Sequence, residues 1–464
     1  MRTDVEKVRA SRVIAPAVVV ALGFAIAASG GVQAGDEPHE DLSHAVHNPP
    51  GNTAVAYSLA KGVRRVGGDN GATGGHSVVE GNRLYVGSYG LGMRIFDIAD
   101  PASPRLLGSY LPGVRADAVP DAAVFDGRHI ATLNGTRRVT ATDLRTDRTE
   151  FLDVTNPAQT KVLWTFVGPA DGEAHNGDIV DERRTWVASG GAGTNGLRIY
   201  DLRPVLGATP AAPENLFRGN PYDLWRDSPY RQGRELGAPF THTHDISVNF
   251  DYPVRQPDGS LAPRDIALLA EGGAYANDRG DTGSIFVVDI TDPRDPVVLN
   301  RWLHERGDGH HPIRYHHEAQ FLDGDRSVVL VTDEDMHNGC GDAGGVTALR
   351  VSNDLTRVTR ELSEWFVPAT TPAPVCSVHV FSSQGPLVFL GSYNGGLQVV
   401  DYSEPAKPVQ AAYSIQPGTT AWGALINREQ VYVGDMARGL DVFELDDPEL
   451  LLKLKLKTKP LRLG

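Results

Sequence analysis

The chain has 464 residues, with 58 acidic against 44 basic side chains and a formal net charge of −14. That length suits two or three ordinary domains, and that charge disfavours nucleic acid phosphates and anionic lipid as partners. Only Cys340 and Cys376 carry thiols, so a sulfur-rich metal centre is excluded.

From the amino terminus, Arg2, Lys7, Arg9 and Arg12 precede an uncharged apolar run over residues 13–28. Ser29-Gly30-Gly31 then breaks the helix, and Val32-Gln33-Ala34 offers a cleavage point before Gly35. This is the pattern of an export signal; an uncleaved anchor is the alternative, although the run is short for a bilayer crossing. The expected organisation is a signal peptide over 1–34, a flexible segment over 35–52 and a single domain over 53–464. Removing residues 1–34 takes away four basic and two acidic side chains and moves the net charge to −16. The expected product is secreted or held at the cell surface, monomeric, without a membrane span after cleavage and without nucleic acid.

Past the leader, one phrase recurs: a β-branched pair, a glycine-rich turn, an apolar strand ending in an acid, then Asp-Pro or Glu-Pro. The clearest copies are Tyr85-Val86-Gly87-Ser88-Tyr89 to Gly92-Met93-Arg94-Ile95-Phe96-Asp97-Ile98, and Phe389-Leu390-Gly391-Ser392-Tyr393 to Gly396-Leu397-Gln398-Val399-Val400-Asp401-Tyr402. A third runs Val431-Tyr432-Val433-Gly434-Asp435 to Gly439-Leu440-Asp441-Val442-Phe443-Glu444-Leu445. The step from Gly396 to Gly439 is 43 residues, the length of a four-stranded propeller blade. Short strands rich in Val, Ile, Phe and Tyr suit a pleated surface buried on both faces, and the Asp-Pro step ends a strand because proline cannot donate to a ladder. Weaker copies lie at Gly196–Leu202, Gly283–Ile290 and Gly344–Val351, and an irregular one surrounds residues 139–144 with Leu152-Asp153-Val154 behind it.

These copies predict an all-β fold, a seven-bladed β-propeller of four-stranded antiparallel blades starting near His76, Pro120, His175, His242, Tyr315, Cys376 and Ala421. Fourth strands are expected at Arg105–Tyr110, 297–302 and 409–413. Two segments compete to close the ring. Residues 54–66 suit a strand added to the last blade, while Leu450-Leu451-Leu452-Lys453-Leu454-Lys455-Leu456-Lys457 alternates as a half-exposed outer strand does.

The phrase through Leu397-Gln398-Val399-Val400-Asp401 and its relatives resembles the LVIVD-repeat β-propeller family, over nearly all of the mature chain. The resemblance implies the fold and no single activity. A weaker, architectural likeness joins the chain to the histidine-lined selenium-binding and methanethiol-oxidase-type propellers.

Aligning the first strand of each blade gives the most informative column. His76, His244, His317 and His379 fall at equivalent positions, with Gly177, Trp422 and a residue near Asp121 in the other blades. First strands line a propeller's channel, so such positions form a ring. Two residues earlier, His175, His242 and Tyr315 share that side one step along the axis. Asp178, Asp245 and Glu318 adjoin the ring and either orient imidazoles or cross-link blades. Converging neutral imidazoles suit a divalent transition metal such as copper, zinc or iron, with carboxylates fixing their tautomers. The alternative is a hydrogen-bonding role around a water-filled channel.

Cys340 and Cys376 are expected to form a disulfide closing 36 residues, worth roughly 3–4 kcal/mol; Cys376, three residues before His379, is otherwise a thiolate ligand. Asp333-Glu334-Asp335 with His337-Asn338-Gly339-Cys340, and Asn277-Asp278-Arg279-Gly280-Asp281, read as solvated acidic loops or hard-cation sites without the EF-hand pattern. His310-His311 and His316 suggest a channel rim. Residues 204–239, with Tyr222, Trp225 and Tyr230, and residues 251–264 interrupt the repeat; the first either packs onto the ring or caps the channel for a partner. No Ser-His-Asp arrangement, P-loop or dinucleotide fingerprint stands in its required context. The expected function is a ligand-binding or protein-interaction scaffold that takes a small molecule or protein at its histidine-lined mouth. A metal-dependent oxidoreductase, or a hydrolase, is the alternative.

Overall fold

A computed structural model describes residues 58–88, 91–111, 119–138, 146–167, 174–180, 183–190, 196–231, 242–272, 283–303, 315–334, 340–341 and 344–456. The leader, residues 35–52, the irregular segment 139–144, the acidic segment 277–281 and His310-His311 lie outside them, as do Asp335 and His337-Asn338-Gly339. Among the described residues no helix is long and apolar enough to cross a membrane.

The strands form seven antiparallel sheets, six of four strands and one of five. Numbering blades in chain order, their first strands are Ser77–Glu80, Val119–Phe125, Ala174–Val180, His242–Arg255, His316–Leu322, Phe381–Gln384 and Ala421–Asn427. Each first strand packs against those of the neighbouring blades, so together they surround the axis. The seven-bladed reading therefore holds, including the weakly marked blade 2, whose third strand is Thr146–Asp153.

Seven apolar layers hold the wheel together, one at each junction between neighbouring blades. Strand periodicity supplies two such layers from one sheet. In blade 4, Ile266, Leu268 and Ala270 pack toward blade 5, while Ala267 and Leu269 pack toward blade 3. The acid that ends the third strand in five of the blades has a local duty: Asp97, Asp153, Asp201, Asp289 and Asp401 each accept a hydrogen bond, 2.8–3.0 Å long, from the backbone N–H two residues on. That Asx turn releases the chain toward strand four.

The ring is closed by the amino-terminal segment. Val63–Asp69 pairs with Gly439–Leu445 as the outer strand of blade 7, in a register running from Val63 opposite Leu445 to Asp69 opposite Leu440. Arg65 meets Asp441 at 2.6 Å, and Arg94 of blade 1 reaches Asp69 at 2.9 Å across the seam. Leu59–Lys61 adds a fifth strand to blade 6.

The carboxy-terminal Leu/Lys alternation is not a strand. Pro448–Leu454 is an α-helix, capped by Asp447, whose carboxylate accepts the Glu449 N–H at 2.8 Å. The same letters also satisfy helical spacing: Leu450 and Leu454 are buried, Glu449 pairs with Lys453 at 3.0 Å, and Leu452 faces solvent. The proline at N1 and the Asp cap decide for helix once the edge of blade 7 is occupied.

Cys340 and Cys376 are joined by a disulfide, with Cα atoms 4.8 Å apart, linking blade 5 to the segment that enters blade 6. Of the two interruptions, residues 251–264 lengthen the first hairpin of blade 4, whose strands run His242–Arg255 and Leu261–Gly272. The other carries a short helix, Pro221–Asp227, which packs back on its own ring. Tyr222 sits edge-on to Phe286 at 4.9 Å, and Trp225 joins the layer between blades 3 and 4.

Candidate functional site

Five aromatic side chains from consecutive blades form a continuous row at the axis. Ring centroids are 4.2 Å apart for His175 and His244, 4.1 Å for His244 and His317, 3.9 Å for His317 and His379, and 4.4 Å for His379 and Trp422. Tyr315 lies beside His244 at 5.3 Å. The local backbone explains how they converge. The ladder between strands one and two slips between Ala174 and Gly177, Thr243 and Asp245, His316 and Ala319, and Ala421 and Gly423. Each slip spans a member of the row, and a bulge of this kind re-aims the extra residue off the sheet.

The structure therefore revises the column read from the sequence. In blade 3 the bulge places His175 in the row in place of Gly177. A Cβ on Gly177 would lie 2.6 Å from the Trp186 indole nitrogen, so that position has no room for a side chain. His76 stands apart from the row and lines the cavity farther along the axis. His242 opens the first strand of blade 4, and its side chain lies outside the described residues. His316 stacks on Trp302 of blade 4 at 5.2 Å rather than forming a rim.

Glu334, at the end of the second strand of blade 5, is the residue that sequence reasoning misplaced into an acidic loop. It is 1 % exposed. Its Oε2 lies 3.9 Å from His317 Nε2, and its Oε1 lies 3.7 Å from His379 Nε2 and accepts a hydrogen bond from the Tyr393 hydroxyl. One donor atom each from His244, His317 and Glu334 lie within 4.8 Å of one another. The only signal in the sequence was its place at a strand end, where the preceding Asp333 accepts the Tyr315 N–H at 2.7 Å. His379 Nδ1 lies 3.1 Å from the Trp422 carbonyl oxygen, which accepts only from a protonated nitrogen. That contact fixes the tautomer and leaves the Nε2 lone pair toward Glu334. Tyr393 itself holds a φ of 39°, an uncommon conformation for a bulky residue, where strain and function tend to coincide.

The three flanking carboxylates divide between two tasks. Asp178 Oδ2 accepts the Val248 N–H at 2.8 Å, and Glu318 Oε2 accepts the Phe381 N–H at 3.0 Å, each reaching the first strand of the next blade. Asp121 accepts the Ile179 N–H in the same way. Asp245 instead places Oδ2 3.8 Å from His317 Nδ1. Burial pushes the carboxyls of Asp178 and Asp245 well above the usual range, reinforced by their acidic neighbours, and pushes Glu318 up to about 8.

Seven antiparallel blades around a polar, histidine-lined axis define a β-propeller. Within it, residues 76–111, the span of blade 1, match the model of the LVIVD repeat. No curated protein matches the chain. Among solved structures, it is similar to the β-propeller domain of Myceliophteria thermophila Cps50 (Swd1), with 10 % identity, a TM-score of 0.50, and coverage of 82 % of this chain and 99 % of that one. The RRP9 WD40 repeats align at 10 % identity with a TM-score of 0.48 over 82 % and 97 % of the two chains, and the computationally designed Ika8 protein at 13 % identity with a TM-score of 0.43 over 82 % and 98 %. At such identities the likeness speaks to the fold alone.

Proposed function

We propose that this protein is an exported binding scaffold whose channel mouth holds a divalent transition metal, copper, zinc or iron, through His244, His317 and Glu334, with His379 beside them. One observation carries the reading: two imidazoles and a carboxylate from different strands, all buried, bring their donor atoms within 4.8 Å. Bonds of about 2 Å to a common ion hold donors no more than about 4 Å apart, so a small inward turn of these side chains would bring them onto one ion, and two imidazoles with a carboxylate form a recurrent donor set for such metals. Asp245 near His317 Nδ1 and the Trp422 carbonyl on His379 Nδ1 leave both Nε2 atoms toward Glu334. Export is supported by the charged and apolar pattern of residues 2–28 and by the disulfide, which belongs to an oxidising compartment.

Metal content of the purified protein tests this directly. Mass spectrometry should find one equivalent of metal in the parent chain and almost none in a His244→Ala/His317→Ala/Glu334→Gln variant that keeps its β circular dichroism. Metal-free parent protein that also fails to take up zinc or copper from buffered solution would end the proposal.

A further inference from the structure

A cavity of about 290 Å³ opens between blades 3 and 4. Arg183, in the turn between Ala174–Val180 and Thr185–Gly190, lies on its wall, so the cavity sits at the far end of the blade 3 first strand from His175. Its floor is apolar: Ile199 and Ile290 are buried, and Leu216 and Phe250 are half-buried. A hydrocarbon body laid there removes that surface from water.

Two equivalent turns supply the rim. Arg203 follows the third strand of blade 3, Leu197–Asp201, and Arg294 follows the third strand of blade 4, Ser284–Asp289. Both guanidiniums line the cavity. Arg203 Nη1 donates to Asp201 at 2.5 Å, while Arg294 is held charged by Glu214, 2.6 Å away, and also by Asp201.

The hydrogen bonds of this wall decide the sign of a ligand. Asp201 is used at both oxygens, by the Arg203 backbone N–H and Nη1, and Asp265 at both, by Nη2 and Nε of Arg183. The guanidiniums are not used up: among the described residues Arg203 Nε and Nη2, and Arg294 Nε and Nη1, have no hydrogen-bond partner. Glu214 and Asp251, which contact Arg294 and Arg183, are largely exposed and lie off the wall. The charged groups still available are therefore forked donors above an apolar floor. A carboxylate matches such a fork with its two oxygens, whereas an ammonium group meets acids already engaged.

We infer that this cavity is a binding site for a small carboxylic acid with a hydrocarbon body, of the kind of a medium-chain fatty acid. Its carboxylate is taken by Arg203 and Arg294, and its chain lies on Leu216, Phe250 and Ile290.

Calorimetric titration of the purified protein with octanoate, with and without a metal chelator, tests the inference alongside acetate and octylamine. Saturable one-to-one binding is expected for octanoate. Acetate, which lacks the chain, and octylamine, which reverses the charge, should bind at least about tenfold more weakly, and Arg203→Gln and Arg294→Gln should each weaken octanoate binding about tenfold, the scale of a lost charge-assisted hydrogen bond. Leu216→Trp, which fills the floor and leaves both guanidiniums in place, should abolish binding and supplies the answer if an arginine variant folds poorly. Absence of saturable octanoate binding, octylamine bound as tightly, or one affinity in all variants would overturn the assignment. So would binding that the chelator removes, which would put the carboxylate on a metal at the axis.

Discussion

The hydroxyl of Tyr393 in blade 6 donates a hydrogen bond to Glu334 in blade 5, so the carboxylate facing His317 and His379 is held from the neighbouring sheet. Removing only the hydroxyl, as Tyr393→Phe, deprives a buried carboxylate of a partner. The expected loss is about 1–3 kcal/mol, read as a lower urea midpoint at unchanged slope, together with weaker metal retention.

The inter-blade latch at Asp178 separates acceptor from charge. Asp178→Ala strands the Val248 N–H and should cost about 1–3 kcal/mol, whereas Asp178→Asn keeps an acceptor and should cost much less. Thermal melts of the two variants decide it; equal melting points would show that the latch contributes nothing.

Opening the disulfide should be felt at the site. Cys376 lies three residues before His379, and Cys340 six after Glu334. A Cys340→Ser/Cys376→Ser variant is expected to lose about 2–4 kcal/mol and to release metal faster to a chelator than the oxidised parent does.

Stability should also depend on pH with a definite sign. Burial pushes Glu271 and Glu318 up to about 8. Between the ordinary carboxylate range and pH 8 the unfolded chain has therefore lost these protons while the folded chain keeps them. Stability falls as pH rises through that window and levels off above it. His76, depressed to about 4, works in the opposite direction between pH 4 and its ordinary 6.5. Glu271→Gln preserves an acceptor for the Thr243 hydroxyl, 2.6 Å away, and should flatten the decline between pH 5 and 8, measured by denaturant titration at each pH. A decline as steep as the parent's would show that Glu271 ionises normally in the folded chain.

Much of this was legible in the residues. The recurring glycine turn, apolar strand and terminal acid gave the blade count and the strand-four positions, because burial on both faces leaves a dense local signature. The disulfide followed from there being two cysteines. The site was read less well. His244, His317 and His379 stand at matching offsets, but His175 takes the place in the row that the column gave to Gly177, and the register slips that re-aim these side chains leave composition unaltered. Glu334 was hidden for a related reason: between Asp333 and Asp335 it reads as one more surface acid, and only the ring geometry turns it inward. The Leu/Lys tail was ambiguous in principle, since Leu450 and Leu454 fit both periods and the choice lay with Asp447, Pro448 and an edge already filled from elsewhere.

That filled edge carries a consequence for how the molecule is made. Val63–Asp69 finds its hydrogen-bonding partner only when Gly439–Leu445 has been synthesised, so six blades must emerge before this closing strand can dock. Until then the final sheet presents an open flank ready to recruit any extended peptide. Assembly of the wheel is in this sense a race between its own closing strand and a stranger's.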